Sequence, residues 1–174
     1  MRNFGLGVLV TLVFSAGAAY TAQKSDSDVL REVRDRAEIE ELMWRYTRAL
    51  DTGDGAAYAA TYAPDGQFGT GANATKGREA LQKMVGAPRA AAAPAAAGAA
   101  PAASRPPMYH MTANHMITFT GKDRARLDAY YLTARAAGGQ DSPLSVLAVG
   151  RSVDELVRLN GRWLIQTRNV QPTN

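Results

Sequence analysis

The sequence predicts an α+β fold in which N-terminal helices pack on one face of a curved antiparallel sheet. Three observations predict it. Apolar residues recur at three- and four-residue steps early in the chain, the stripe of an amphipathic helix. From Met108 the pattern changes to strand-like runs. Asn160-Gly161, between two such runs, is a two-residue hairpin signal. Strands and helices do not alternate, which argues against a doubly wound sheet.

The first helix is expected from about Val29 to Leu50. Ile39, Leu42, Met43, Tyr46, Ala49 and Leu50 form its apolar stripe, with Arg36, Glu40, Glu41, Arg45 and Arg48 opposite. "DTGDG" stops it with a glycine turn. Asp54 can cap a short second helix, "GAAYAATYA", placing Tyr58 and Tyr62 on one face. "PDG" is a turn signal, "QFGT" a short strand, and "GREALQKMV" a third helix. Residues 87–107, "APRAAAAPAAAGAAPAASRPP", read as a low-complexity loop without chemistry, because proline and glycine interrupt its alanine runs. Four strands follow: Met108–Thr120, "RARLDAYYLTAR", then, after the loop "AAGGQDSP", "LSVLAVGRSVDELVRL", and "RWLIQTRNV".

Composition narrows the function. The 174 residues suit one domain with its own core. The absence of cysteine excludes thiol nucleophiles, disulfides and thiolate metal sites. The net charge of +4 comes from scattered basic residues interleaved with acids, so no nucleic-acid partner is expected. "MRN", then "FGLGVLVTLVFSAGAA", has the positive start, apolar run and small residues of a secretory signal, with cleavage after Ala18, Ala19 or Ala22. The run is shorter than the ~20 apolar residues of a spanning helix. Residues 1–22 are therefore read as a signal peptide and 23–174 as the mature domain, periplasmic or secreted, with no stable membrane association after cleavage.

The two histidines of the chain lie in "MYHMTANHMITF". Period-two alternation places His110, Thr112, Asn114 and Met116 on one face, and Met111, Ala113, His115, Ile117 and Phe119 on the other. The His110 face is polar for a strand that helices should cover, so it is either wet or purposeful. Asp51 closes the first helix at the negative end of its dipole, where a carboxylate is disfavoured. If that helix lies across the sheet, Tyr46, Asp51 and His110 would meet in one cavity. Aspartate would orient the imidazole as general base, and tyrosine would donate to a developing oxyanion. The plainer reading is a core tyrosine and a turn aspartate.

"AEIEELMWRYTRALDTGD", "YAPDGQF", "KGREAL", "HMTAN", "GKDRARLDAYYLTA" and "DELVRLNGRWLIQTR" resemble, in order, the pattern of SnoaL-like proteins of the nuclear transport factor 2-like superfamily. The branch is that of scytalone dehydratase, the bile-acid dehydratases and hexachlorocyclohexane dehydrochlorinase. The resemblance implies a cone-like, strongly curved antiparallel sheet wrapped around the helices, with an apolar pocket inside. It implies that Asp51 and His110 form a catalytic dyad, that Tyr46 matches a dehydratase tyrosine, and that Arg158 matches a pocket arginine of the dehydrochlorinase. Trp163 is read as core. It also implies a homodimer formed through the outer sheet face, with His115, Ile117 and Phe119 there.

The expected chemistry is proton abstraction beside an activating group, with loss of water or halide, or isomerisation. Tyr46, Tyr58, Tyr62, Phe68, Met116 and Tyr130 are expected to line the pocket. Tyr62, Phe68, Asn114, Tyr130 and Arg158 are the candidate substrate contacts, and the partner is a small hydrophobic molecule. No nucleotide loop or metal triad is seen, so no cofactor and no metal are assigned. The alternative is a non-catalytic module for ligand binding or dimerisation.

Overall fold

The computed structural model describes residues 24–86, 108–136 and 143–170. The signal-like segment, the Ala/Pro-rich stretch 87–107 and most of the "AAGGQDSP" loop lie outside them. The element order is α1 (Asp26–Thr52), α2 (Gly55–Ala60), β1 (Tyr62–Phe68), a short 3-10 turn (Gly71–Asn73), β2 (Thr75–Lys76), α3 (Arg78–Val85), β3 (Met108–Gly121), β4 (Arg124–Ala136), β5 (Leu144–Leu159) and β6 (Arg162–Asn169). Ser25 caps α1 by accepting from the Asp28 N–H. Gly53 ends it at φ 70°, in the left-handed region that suits glycine. Asp54 caps α2 through the Ala57 N–H at 2.9 Å. Asn160 and Gly161, both at positive φ, make the predicted hairpin turn between β5 and β6.

The strands form one sheet in the order β2-β1-β6-β5-β4-β3. β3 to β6 are antiparallel neighbours, but β1 joins β6 in parallel, so the sheet is mixed. β1 also starts earlier than expected. "YAPDGQF" is strand throughout, and its proline and glycine sit within the strand instead of turning the chain.

Register shifts curve the long strands, since an extra residue on one strand bends it and increases its twist; besides one at the end of β3, where Thr120 is the extra residue, there are three. On β3, Asn114 and His115 lie between the pairs Ala113–Tyr130 and Met116–Asp128, against one residue of β4. On β5, Leu147 is the extra residue between Thr133–Ala148 and Ala134–Val146. On β6, Gln166 is the extra residue between Glu155–Thr167 and Leu156–Ile165. The helices occupy the concave side.

The α1 stripe is buried as its periodicity predicts: Ile39, Leu42, Met43, Tyr46 and Ala49 pack with Ile117, Leu127, Leu156, Trp163 and Ile165. Truncating such a residue, for instance Leu42→Ala, removes about 2–5 kcal/mol. α1 is also tied to the edge strand β3 at two points. Arg36 donates to the Ile117 carbonyl at 2.8 Å and lies 5.1 Å from the Phe119 ring centroid. Asp51 accepts from the His110 N–H at 2.9 Å. Both contacts satisfy backbone groups that an edge strand would leave open.

Candidate functional site

The bulge at Asn114 decides which side chains of β3 face inward. Asn114 sits at φ 55° and is exposed. Before it, His110 and Thr112 point into the cone. After it the phase is reversed, so His115, Ile117 and Phe119 share the inner side with His110. Unbroken alternation had placed them opposite. Met116 is 60% exposed. Ile117, expected on an outer face, is in the core.

A cavity of about 190 Å³ opens between α1, α3 and the concave faces of β3, β4 and β6. Its walls are mostly apolar, with Leu50, Phe68, Met84, Leu132 and Val170 among them. Its polar groups are Tyr46, Thr47, Tyr58, His110, Thr112, Tyr131, Thr133 and Arg168. The tyrosine rings and threonine methyls add to the apolar surface, and a mostly apolar surface with a limited set of polar atoms is the composition of a small-molecule site.

His110 Nδ1 lies 2.8 Å from Asp51 Oδ1, the same oxygen that accepts from the His110 backbone N–H. A carboxylate can only accept there, so Nδ1 carries a hydrogen, and in the neutral ring the lone pair is on Nε2. The two side chains retain about a fifth of their exposure, 21% for His110 and 17% for Asp51. The ring is therefore held by a partly buried anchor while it borders the cavity. Asp51 lies in the last turn of α1, where no basic residue offsets the dipole; its partner is the imidazole brought in by β3.

The second wall carries a pair that the sequence reading missed. Arg168 of β6 is 2% exposed and Asp154 of β5 fully buried, and the two side chains are in direct contact. The Arg168 guanidinium lies 4.4 Å from the Tyr46 ring centroid. Its Nε has no hydrogen-bond partner among the described residues. Burial pushes the Asp154 carboxyl up, against the pull of Arg168. Tyr46, Tyr58 and Tyr62 stack around this cation, with centroids 5.2 to 6.3 Å apart. The Tyr58 and Tyr62 hydroxyls are 2.9 Å apart, and burial raises the pKa of both phenols.

The candidate residues thus fall into two groups. Tyr46, His110 and Phe68 line the cavity, and Asp51 holds His110 from behind. Tyr62 is fully buried beneath Tyr46 and Tyr58 and is core. Asn114 is on the bulge, and Tyr130 is 54% exposed on the convex face; its neighbour Tyr131 is the β4 tyrosine at the cavity. Arg158 pairs with buried Asp35 and lies 4.7 Å from the Trp163 ring centroid, so it braces α1 and is not at the cavity. The cavity arginine is Arg168. Among the described residues no group of three or more His, Asp or Glu is arranged to hold a metal ion.

The SnoaL-like domain family matches residues 31–169. The chain belongs to that family. Solved structures agree on the fold of this SnoaL-like protein. A protein of unknown function from Mycobacterium tuberculosis is 21% identical, with a TM-score of 0.64, over 84% of this chain and 76% of that one. A candidate scytalone dehydratase from Novosphingobium aromaticivorans is 20% identical, with a TM-score of 0.62, over 84% of this chain and 89% of that one. A Catenulispora acidiphila protein, in complex with S-DNPA, is 27% identical, with a TM-score of 0.58, over 78% of this chain and 91% of that one. No curated protein matches the SnoaL-like chain in sequence. These likenesses show the fold, a nuclear transport factor 2-like cone with a curved, unclosed sheet.

Proposed function

We propose that this SnoaL-like protein is an exported, cofactor-independent lyase or isomerase, dehydratase-like, acting on a small hydrophobic molecule. One observation carries the reading: Asp51 Oδ1 holds His110 Nδ1 at 2.8 Å, which leaves Nε2 as the basic nitrogen of a ring that lines an apolar cavity. Nε2 takes a proton from a carbon beside an activating carbonyl. The C–H electron pair then forms the new double bond as a β-hydroxyl takes that proton from the imidazolium and leaves as water, or the proton returns at another carbon. Negative charge gathers on the carbonyl oxygen. Tyr46, as hydrogen-bond donor, and Arg168, as buried cation, are the other groups at the cavity that favour it. The scytalone-dehydratase-like neighbour and the Catenulispora relative with S-DNPA support an organic ligand in this fold.

The convex face supports a homodimer. Tyr109, Met111, Met116, Tyr130 and Val149 are 49–69% exposed, large apolar groups around the Asp128–Arg151 pair of the kind that an interface covers. Light scattering after size exclusion is expected to give twice the chain mass. Export is supported by the signal-like N-terminus, and the protein isolated from its host should lack about the first 22 residues by mass spectrometry.

The decisive assay is turnover on a panel of hydroxylated and unsaturated cyclic ketones. Wild type is expected to turn over one member, and His110→Ala to bind it with little or no turnover. Equal turnover by both proteins would remove His110 as the base, and binding without turnover by both favours the ligand-binding module instead.

A further inference from the structure

Tyr131 of β4 is paired directly with Gly150 of β5, on the concave face. A Cβ at Gly150 would lie 2.9 Å from the Tyr131 hydroxyl oxygen and 3.0 Å from two of its ring carbons. The ring therefore lies flat across the glycine, in space that any other residue would fill. Gly150 is not at positive φ, so backbone conformation does not demand the glycine there; the close approach of the tyrosine does. Tyr131 lines the cavity together with Thr112, its partner on β3, and Thr133. Its hydroxyl makes no hydrogen bond among the described residues.

We infer that the Gly150–Tyr131 pair sets the size of ligand the cavity accepts, with Gly150 a specificity-determining position. The glycine parks the phenol against the sheet and keeps the β4–β5 side of the cavity open. Adding one methyl displaces the far end of a flexible side chain, which costs the fold little. The displaced ring has the concave side to move into, because the sheet backbone blocks the other. In a hollow of about 190 Å³, a phenol ring swung inward removes the room for one fused ring of a ligand. This rests on the reading of the cavity as a ligand site, but not on the acid–base role of His110.

The test is equilibrium binding of phenol, 2-naphthol and 2-anthrol, which differ by one ring each, measured by calorimetry. Wild type is expected to bind phenol and 2-naphthol. Gly150→Ala should weaken 2-naphthol about tenfold or more while phenol changes less than about threefold. The double variant Gly150→Ala/Tyr131→Ala should regain 2-naphthol binding. Tyr131→Ala alone should admit 2-anthrol more readily than wild type, an arm that stands even if Gly150→Ala fails to fold. Equal losses for both smaller probes, no recovery in the double variant, or no gain of 2-anthrol by Tyr131→Ala would overturn the inference. Failure of wild type to bind any probe overturns it as well. None of these outcomes touches the Asp51–His110 proposal, which is read from turnover.

Discussion

Two acid–base pairs each bring one member to the same cavity, His110 and Arg168, and they differ in one physical respect. Asp51–His110 joins α1 to the edge strand β3 and keeps about a fifth of its surface exposed. Asp154–Arg168 joins two central strands and is 0% and 2% exposed. A pair with one wet side and a titratable base can exchange protons. A fully buried pair with a permanently charged guanidinium cannot, and it acts through its field and by holding strands together. The cavity thus has a wall that can move a proton and a wall that can stabilise charge.

Breaking each pair should give opposite signatures. His110→Ala removes the base. Its turnover should fall by about 10²–10⁴-fold, with the urea midpoint close to wild type. Arg168→Met strands the Asp154 carboxylate in the core. It should lose about 3–5 kcal/mol of stability by urea unfolding, since the remaining charge has no partner. If Arg168→Met is as stable as wild type while His110→Ala unfolds, the division of labour is reversed. Asp51→Asn keeps an acceptor near the ring but weakens its hold, and should fall between wild type and His110→Ala in turnover.

The smallest effect concerns His115, whose pKa is lowered by burial, opposed by Glu40 and assisted by Arg168. The folded state then prefers the neutral ring. The stability it contributes is present above the ordinary value of 6.5, begins to be lost as pH falls below it, and is gone below the lowered folded value. The urea midpoint should drop on acidification across that value, and less steeply in His115→Gln; parallel curves for the two proteins would remove His115 from the account.

The same pairs show what the sequence reveals. α1 was legible to within three residues because a long stripe at helical spacing survives in any context, and β3 to β6 because strand runs end at turn residues. Asp51 and His110 were legible because each is locally odd: a carboxylate at a helix C-terminus, an imidazole on a polar strand face. The bulges were not legible. Asn114 carries no mark of its positive φ beyond being asparagine, yet it moves His115 and Ile117 to the inner face. Counting outward from the Asn160-Gly161 turn pairs Asp154 with Thr167; the extra Gln166 makes the partner Arg168. That single residue hid the buried pair, while Arg158, exposed by its place in a familiar motif, was assigned a role that Asp35 already occupies.

The central claim is that Asp51 holds the proton on Nδ1 and leaves Nε2 as the base. Nitrogen-15 spectra of the neutral His110 imidazole test it directly. The account predicts the Nδ1–H tautomer in wild type and a shift toward Nε2–H in Asp51→Asn. A wild-type ring already in the Nε2–H form, or one unaffected by Asp51→Asn, would contradict it.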